Sequence, residues 1–297
     1  MTTPQDYAQL HIPVMLSEVI QYLNLQRNGV YLDGTIGAGG HATKIIGHLS
    51  SKGRLIGLDR DAEALRICND RFVTSARPIS THQLSYHQFP KILQELKVPA
   101  VNGIILDLGL SSMQLDSDTR GFAFESKGDL DMRFDGQGGE LASDLISKSS
   151  EKELADIIFQ YGDERHSRKI AHSIKAMKSM TTVADLKEAI RKSTPPQKRY
   201  KSLARVFQAL RIAVNGELDK LKSFLESFVD YLCIDGRIVI MSYHSLEDRM
   251  VKHTFRALKQ AGKLNVLTKK PIIPSADEQA QNNRSRSAKL RAAERIA

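Results

Sequence analysis

Residues 30–41 read VYLDGTIGAGGH, and this stretch decides the fold. The apolar residues 30–32 predict a short strand that ends at Asp33, and the glycines that follow predict a tight turn opening a helix at His41. Glycines let the backbone approach a ligand closely, and a helix N-terminus favours negative charge. A strand, a glycine turn and a helix in this order therefore predict an α/β unit with a candidate binding loop.

The sequence on the C-terminal side of this unit repeats the alternation. Further strands are predicted at residues 54–59, 79–83, 103–109 and 236–244, and helices at 41–49, 61–72 and 90–96. Strands that alternate with helices are typical of a parallel sheet covered by helices. We therefore predict a Rossmann-like α/β fold.

The alternation stops in the middle of the chain. Residues 113–140 are rich in Asp and Gly and predict an ordered arm or loop, and the residues after them have helical periodicity. Strand signal returns only at residue 236. We expect two domains: a sheet domain formed by residues 1–112 and 214–297, and a mainly helical inserted domain formed by residues 113–213.

Local signals place some element boundaries within the second half of the chain. Capping boxes at Ser150 with Glu153 and at Thr182 with Asp185 predict helix starts. Apolar residues at helical spacing predict one long helix through residues 218–232. The basic stretch near the C-terminus predicts either a final strand or a flexible arm.

Composition excludes several classes of protein. The 297 residues include two cysteines, which lie far apart and form no CxxC, so neither a disulfide framework nor a cysteine zinc site is expected. The N-terminus lacks the pattern of a secretory leader, and no apolar run reaches the length of a membrane span. We expect a cytoplasmic protein with no membrane partner and no required metal.

One segment supplies the whole basic excess of the chain. Residues 165–205, called the basic block below, contain twelve Lys or Arg and two acids, which gives +10, whereas the whole chain has a formal net charge of +9. A concentrated positive charge predicts a polyanionic partner such as nucleic acid. The alternative interpretation is a solvated helical surface.

Two of the carboxylates at strand ends are candidate site residues. Asp59 suits the two hydroxyls of a ribose, and the dinucleotide-like spacing of the glycines leaves the identity of the nucleotide cofactor open. Asp107 ends the fourth strand at the edge where open α/β sheets bind ligands. A carboxylate there could accept the hydrogens of an attacking amine, although an Asp that closes a strand is also often a turn cap.

The last predicted strand places Ser242-Tyr243-His244-Ser245 at the same carboxyl edge of the sheet as Asp107. Ser245 and Asp248 have capping-box spacing, so part of this string is explained as a helix start. That explanation leaves Tyr243 and His244 without a role.

Nine strings in this sequence resemble, in order, those of the bacterial 16S ribosomal RNA cytosine-N4 methyltransferases, the RsmH/MraW family. They are HIPVMLSEVI (11–20), DGTIGAGGH (33–41), LDRD (58–61), ILDLGLSSMQLD (105–116), RGFAFESKGDLDMRFD (120–135), YGDER (161–165), RVFQALRIAVNGEL (205–218), SYHSLEDR (242–249) and RSRSAKLRAAER (284–295). The resemblance implies a class I methyltransferase sheet with S-adenosylmethionine as cofactor. It also implies 16S rRNA as partner, within the small ribosomal subunit, and N4 of cytosine 1402 as the target.

The resemblance also implies roles for individual residues. The expected cofactor-binding residues are Gly39, Gly40, His41, Asp59, Tyr86, Asp107 and Gln114, with Phe89 as the rival to Tyr86 for the aromatic contact. The expected catalytic residues are Asp107, Ser111 and His244. Phe122 and Phe124 are candidate stacking platforms for a base, with core packing as the alternative, and Arg133 is a candidate phosphate contact.

Two other functions are compatible with parts of the sequence. A nicotinamide-dependent oxidoreductase would explain the glycine turn and Asp59, but not DLGLSS, SYHSLEDR or the basic block. A non-catalytic RNA-binding module would explain the basic block but has no need of the glycine turn. The sequence leaves open whether the protein forms a homodimer.

Overall fold

A computed structural model describes residues 13–75, 78–136 and 138–297. Residues 1–12 lie outside this range; they include most of the N-terminal stretch that lacks a leader pattern and the first two residues of HIPVMLSEVI. Within it the chain divides into two compact units. One comprises the described residues up to Gly109 together with Asp219–Ala297, and the other comprises Leu110–Leu218. The second unit begins three residues earlier and ends five residues later than the predicted insertion.

The first unit is built on a seven-stranded sheet with the order β3-β2-β1-β4-β5-β7-β6. The first five strands in this order are parallel, and β7 is antiparallel to both of its neighbours. The strands are β1 (Val30–Asp33), β2 (Arg54–Asp59), β3 (Ile79–Gln83), β4 (Val101–Asp107), β5 (Leu232–Ser242), β6 (Leu264–Val266) and β7 (Lys289–Arg295).

The α-helices among the described residues are assigned in chain order. They are α1 (Leu16–Leu23), α2 (Gly40–His48), α3 (Ala62–Phe72), α4 (Phe89–Glu95), α5 (Ser112–Asp116), α6 (Ala142–Lys148), α7 (Glu151–Gly162), α8 (Ser167–Lys175), α9 (Val183–Ser193), α10 (Arg199–Asn215), α11 (Glu217–Ser227), α12 (Ser245–Gln260) and α13 (Ala276–Gln281). None of these helices is long and apolar enough to cross a bilayer.

Alternate residues of the strands enter two apolar cores, because successive side chains of a strand point to opposite faces. In β4, Ile104 and Leu106 belong to one core, which includes Phe224, and Ile105 belongs to the other. The predicted Rossmann-like α/β sheet is confirmed. The strand order reverses between β1 and β4, and ligands of such sheets bind beyond the carboxyl ends of the strands at this point.

Two sequence predictions near the C-terminus are resolved by strand pairing. The long helix expected through residue 232 is wrong at its end, because Phe228–Tyr231 forms a 3-10 turn and Leu232 begins β5 opposite Val101. The basic C-terminal stretch begins with a 3-10 turn at Asn283–Ser287, and its second half forms β7, which lies between β5 and β6.

The second unit packs its helices around a separate apolar core. The capping boxes predicted at Ser150 and Thr182 are present and begin α7 and α9. The stretch rich in Asp and Gly starts with the short helix α5 and then continues without regular elements. The Asn215 side chain of α10 holds part of it, because its amide donates to the Met132 carbonyl (2.7 Å) and accepts from the Phe134 N–H (3.0 Å).

Candidate active site

The glycine turn between β1 and α2 adopts a backbone that only glycine takes readily. Gly37 and Gly39 have φ values of +52° and +84°, in the left-handed region. A Cβ at Gly39 would also lie 2.8 Å from the Phe72 ring. The sequence therefore needs glycine here both for the turn and for close packing on α3.

Asp59, at the end of β2, holds this turn. Its carboxylate accepts hydrogen bonds from the N–H groups of Gly37 (2.8 Å) and Asp61 (2.9 Å). Burial raises the pKa of Asp59, and these backbone hydrogen bonds oppose that shift. Each carboxylate oxygen can accept a further hydrogen bond, so the group can support the turn and still bind the hydroxyls of a ribose.

Three carboxyl groups lie at the carboxyl ends of neighbouring strands: Asp33 on β1, Asp59 on β2 and Asp107 on β4. Burial raises the pKa of Asp33 to about 8, and the negative charges of Asp107 and Asp59 add to the effect. Sequence analysis did not single out Asp33 as a site residue. The available signal was its position directly after an apolar strand, the same position as that of Asp59 and Asp107.

Asp107 is held in place through its backbone and its side chain. Its N–H donates to the Thr35 hydroxyl (2.7 Å), and its carboxylate accepts from the Gly109 N–H (3.3 Å). The Tyr243 phenol lies near the same carboxylate, which contributes to the raised pKa of the phenol. These contacts bring β1, β4 and the end of β5 together around a single carboxylate.

Tyr243 is a site residue whose role sequence reasoning missed. Its pKa is raised well above the usual value, chiefly by burial and then by the charge of Asp107. The phenol therefore stays protonated and can donate to Asp107. The ring lies against Gly109, where a Cβ would approach it to 2.6 Å. The sequence placed Tyr243 at the correct edge but gave no sign of which group it contacts.

His244, predicted to be catalytic, is the N-cap of α12. The Nδ1 atom of its ring accepts a hydrogen bond from the backbone N–H of Glu247 (3.5 Å). Its backbone N–H donates to the Glu247 carboxylate (3.4 Å), and its side chain is almost fully buried. The capping box predicted at Ser245 with Asp248 is wrong, because Ser245 is already the first residue of the helix. Asp248 instead pairs with Arg291 of β7 at 2.7 Å.

His41 lies in the first turn of α2, as predicted, but its imidazole binds the N-terminal segment. Nε2 donates to the Val14 carbonyl at 3.0 Å, and the side chain is buried. At Gly40, a Cβ would lie 2.9 Å from the Pro13 ring. Residues 13 and 14 therefore pack against the start of this helix.

The structure separates the two aromatic candidates that follow β3. Phe89 is fully buried in the apolar core, with its ring 5.3 Å from Phe224, so it is inaccessible to a ligand. Tyr86 is only partly buried. It lies close to Gly34, because a Cβ added to Gly34 would be 2.9 Å from the Cβ of Tyr86. Of the two, only Tyr86 lies beside the turn that follows β1.

Ser111 and Gln114 belong to the second unit and form a capping box on α5. The Ser111 hydroxyl accepts from the Gln114 N–H (3.2 Å), and the Gln114 side chain accepts from the Ser111 N–H (3.1 Å). This exchange is a sufficient structural reason for a Ser and a Gln at this spacing.

Contacts within the second unit occupy the side chains of Phe122, Phe124 and Arg133. Phe122 is buried and stacked on Phe134 at 5.5 Å, so its proposed role as a stacking platform is wrong and core packing is correct. Phe124 makes an edge contact with Tyr200 at 5.4 Å. Arg133 forms a bidentate ion pair with Asp131.

The basic block lies on α8, α9, α10 and their connections. Some of its cations have local partners; for example, Arg191 pairs with Glu188 (2.6 Å) and Arg205 with Glu164 (3.7 Å). In the part of the chain that the structure describes, seven have no ion-pair or hydrogen-bond partner for the side chain. These are Arg165, Arg168, Lys169, Lys178, Lys187, Lys198 and Lys201.

Comparisons with known proteins identify relatives along nearly the whole chain. Ribosomal RNA small subunit methyltransferase H of Kosmotoga olearia is 46% identical over 98% of this chain and 99% of its own length. The protein of the same name from Thermosipho africanus is 45% identical over 98% of this chain and 99% of its own length. A solved structure of a putative rRNA-methylase from Clostridium thermocellum aligns with a TM-score of 0.49 at 11% identity, over 97% of this chain and 100% of that one.

The profile of the MraW methylase family matches residues 8–296. The glycine turn and the carboxylates at the sheet edge fit S-adenosylmethionine, the cofactor that the resemblance implied, because they offer backbone N–H groups beside acceptors for hydroxyls. On the full-length match and the identity to its relatives, this chain belongs to the MraW methylase family.

Proposed function

We propose that this protein uses S-adenosylmethionine to methylate N4 of a cytosine in the 16S rRNA of the small ribosomal subunit, in the cytoplasm. The observation that carries the proposal is the Asp107 carboxylate at the carboxyl edge of β4, held beside the glycine turn by the hydrogen bonds of Asp107 to Thr35 and Gly109. Family membership and the names of the relatives support the reaction class and the RNA. The choice of N4, and of cytosine 1402, follows from the resemblance.

The cofactor-binding residues are assigned from the sheet edge and from the resemblance. The backbone around Gly39, Gly40 and His41 would hold the methionine part, and Asp59 the ribose hydroxyls. Tyr86 would contact the cofactor beside the turn, and Gln114 is retained from the resemblance. When bound, the cofactor supplies a methyl group carried on a positively charged sulfur.

Asp107 has a clear chemical task in this reaction. The lone pair of cytosine N4 is delocalised into the ring, so the amine is a weak nucleophile that must be positioned and relieved of a proton as it gains the methyl group. The Asp107 carboxylate accepts that proton and later releases it to water. Tyr243 acts through Asp107 and is therefore a positioning residue.

The neighbouring groups adjust the charge of the site. With a pKa of about 8, Asp33 is mostly protonated at neutral pH, which limits the repulsion between the three carboxyl groups. The other two residues expected to be catalytic, Ser111 and His244, are both assigned to helix capping.

Labelled methyl transfer tests the proposal directly. Unmodified 16S rRNA, free or assembled into small subunits, is incubated with the protein and S-adenosylmethionine carrying a heavy methyl group. Nucleosides are then separated and identified by mass spectrometry. We expect labelled N4-methylcytidine in at least one of the two substrates, whereas label on carbon 5 of cytosine, or none, would contradict the assignment. Parallel titrations with NAD test the oxidoreductase alternative.

A further inference from the structure

The second unit contains a cavity of about 480 Å³ that the proposed reaction does not use. Three segments contribute its walls: the loop that precedes α6, helix α9 and the start of α10. The lining residues are Glu125, Ser126, Lys127, Ala184, Lys187, Glu188, Ile190, Arg191, Arg199 and Leu203. Its volume lies within the range typical of small-molecule sites.

The charged side chains of this cavity favour an anion. The lining includes four cations and two acids, and one acid, Glu188, is bound bidentately by Arg191 at 2.6 and 2.7 Å. Lys127 and Lys187 have no ion-pair partner among the described residues. A concave surface with lysines that lack an acidic partner attracts phosphate groups.

The apolar part of the lining favours a ligand that carries a ring as well as a charge. Leu203, which is partly exposed, and Ala184, which is exposed, provide an apolar wall.

We propose that this cavity binds one nucleotide of single-stranded RNA, with the phosphate on Lys127 and Lys187 and the base or ribose against Ala184 and Leu203. The inference rests on the proposed function, because it assigns part of the RNA substrate to a site in the helical unit. A cavity of this size admits one nucleotide but no duplex. Arg199 offers a further cation at the start of α10.

Equilibrium binding of a labelled five-residue oligoribonucleotide to the full-length protein tests the site. The double variant Lys127→Ala/Lys187→Ala should lose about tenfold in affinity. The matched control Lys148→Ala/Lys152→Ala removes two lysines of the same unit that do not line the cavity, and it should remain close to wild type. Equal losses in the two variants would show a general effect of charge and would overturn the proposal.

A variant without any change of charge tests the cavity itself. Ala184 is an exposed lining residue, so Ala184→Phe can reduce the space while α9 stays folded. We expect it to weaken oligonucleotide binding while the melting temperature stays unchanged. Wild-type affinity in this variant would contradict binding inside the cavity. As competitors, cytidine 5′-monophosphate should displace the oligonucleotide at a lower concentration than inorganic phosphate does, and equal potency would overturn the nucleotide assignment.

Methyl transfer by the wild-type protein separates this inference from the proposed function. If the wild type methylates rRNA and both cavity variants match it in affinity and KM, the inference fails and the function stands. If the wild type transfers no methyl group, the proposed function fails, and the oligonucleotide measurements still decide whether the cavity binds RNA.

Discussion

At the scale of single residues, the carboxyl of Asp33 links the site to the stability of the fold. Its pKa is about 8 in the folded protein, against an ordinary value of 3.8. Between these two pH values the folded state holds a proton that the unfolded state has released. By linkage, the free energy of unfolding that this group contributes is greatest below about pH 4 and decreases as the pH rises towards 8.

Replacing Asp33 with Asn should remove this pH dependence. Asparagine resembles the protonated carboxyl and can still accept the hydrogen bond from the Thr35 N–H. We expect Asp33→Asn to gain stability relative to wild type as the pH rises from 5 to 8. Urea unfolding of both proteins at several pH values measures the difference. Parallel curves for the two proteins would show that the Asp33 pKa is not raised.

Asp59 should contribute to cofactor binding through charged hydrogen bonds. Asp59→Ala is expected to weaken the binding of S-adenosylmethionine by about 1 to 3 kcal/mol. Because Asp59 also holds the Gly37 N–H, part of this loss comes from the turn. Asp59→Asn, which keeps an acceptor for the turn, serves as the control and should bind more tightly than the alanine variant. Unchanged affinity in both variants by calorimetry would remove Asp59 from the cofactor site.

Substitution of Asp107 should lower kcat more than substitution of Tyr243. Asp107→Asn replaces the proton acceptor and should lower kcat by about a hundredfold or more, with little change in melting temperature. Tyr243→Phe removes only the phenolic hydroxyl near Asp107 and should lower kcat by about two- to tenfold. Single-turnover methyl transfer gives both values. If Tyr243→Phe equals wild type while Asp107→Asn is inactive, the phenol has no positioning role.

At the scale of elements, short polar signals begin helices in the expected places. Ser150 and Thr182 cap α7 and α9 because their hydroxyls accept backbone N–H groups that the helix cannot pair by itself. His244 does the same for α12, using an imidazole nitrogen where Ser or Asp is usual. An unusual capping residue explains why the sequence pattern placed this cap one residue too late.

The cap at Thr182 should have a measurable effect on stability. Thr182→Ala removes the hydroxyl that accepts from the Asp185 N–H and should reduce the free energy of unfolding by about 1 kcal/mol. Thr182→Ser keeps the hydroxyl and should recover most of the loss. Chemical unfolding followed by circular dichroism provides the comparison. Equal losses in the serine and alanine variants would assign the effect to the Thr methyl group.

At the scale of the whole molecule, the concentration of positive charge in the basic block should determine the salt dependence of RNA binding. Lys169, Lys198 and Lys201 are exposed and have no partner among the described residues. Arg205 is a weaker choice for a test, because it lies 3.7 Å from the Glu164 carboxylate.

Removing those three lysines should reduce the dependence of RNA affinity on salt. Each lost phosphate contact should lower the log-log slope by about 0.7 to 0.9. The control Lys44→Ala/Lys52→Ala/Lys91→Ala makes the same change of charge in the sheet unit and should leave the slope unchanged. RNA affinity is measured at several salt concentrations, with cofactor affinity as a check on folding. Equal slopes for wild type and the Lys169, Lys198 and Lys201 variant would place the RNA surface elsewhere, with Arg284 and Arg286 as the next residues to test.

The sequence by itself determined the features that depend on local chemistry. Glycines at 37 and 39, carboxylates at 59 and 107 and the caps at 150 and 182 could be recognised because turns, strand ends and helix starts each demand particular residue types over a few positions. Alternating strands and helices were sufficient to predict the parallel sheet.

Only the tertiary structure decided which of these groups meet. Tyr243 and Asp107 are far apart in sequence and come together because β5 pairs with β4 in a register that no local pattern encodes. The same pairing ends the predicted long helix before Leu232. The raised pKa of Asp33 likewise arises from burial and from charges on other strands. Long-range packing and electrostatics depend on distances between remote residues, which spacing along a chain does not contain.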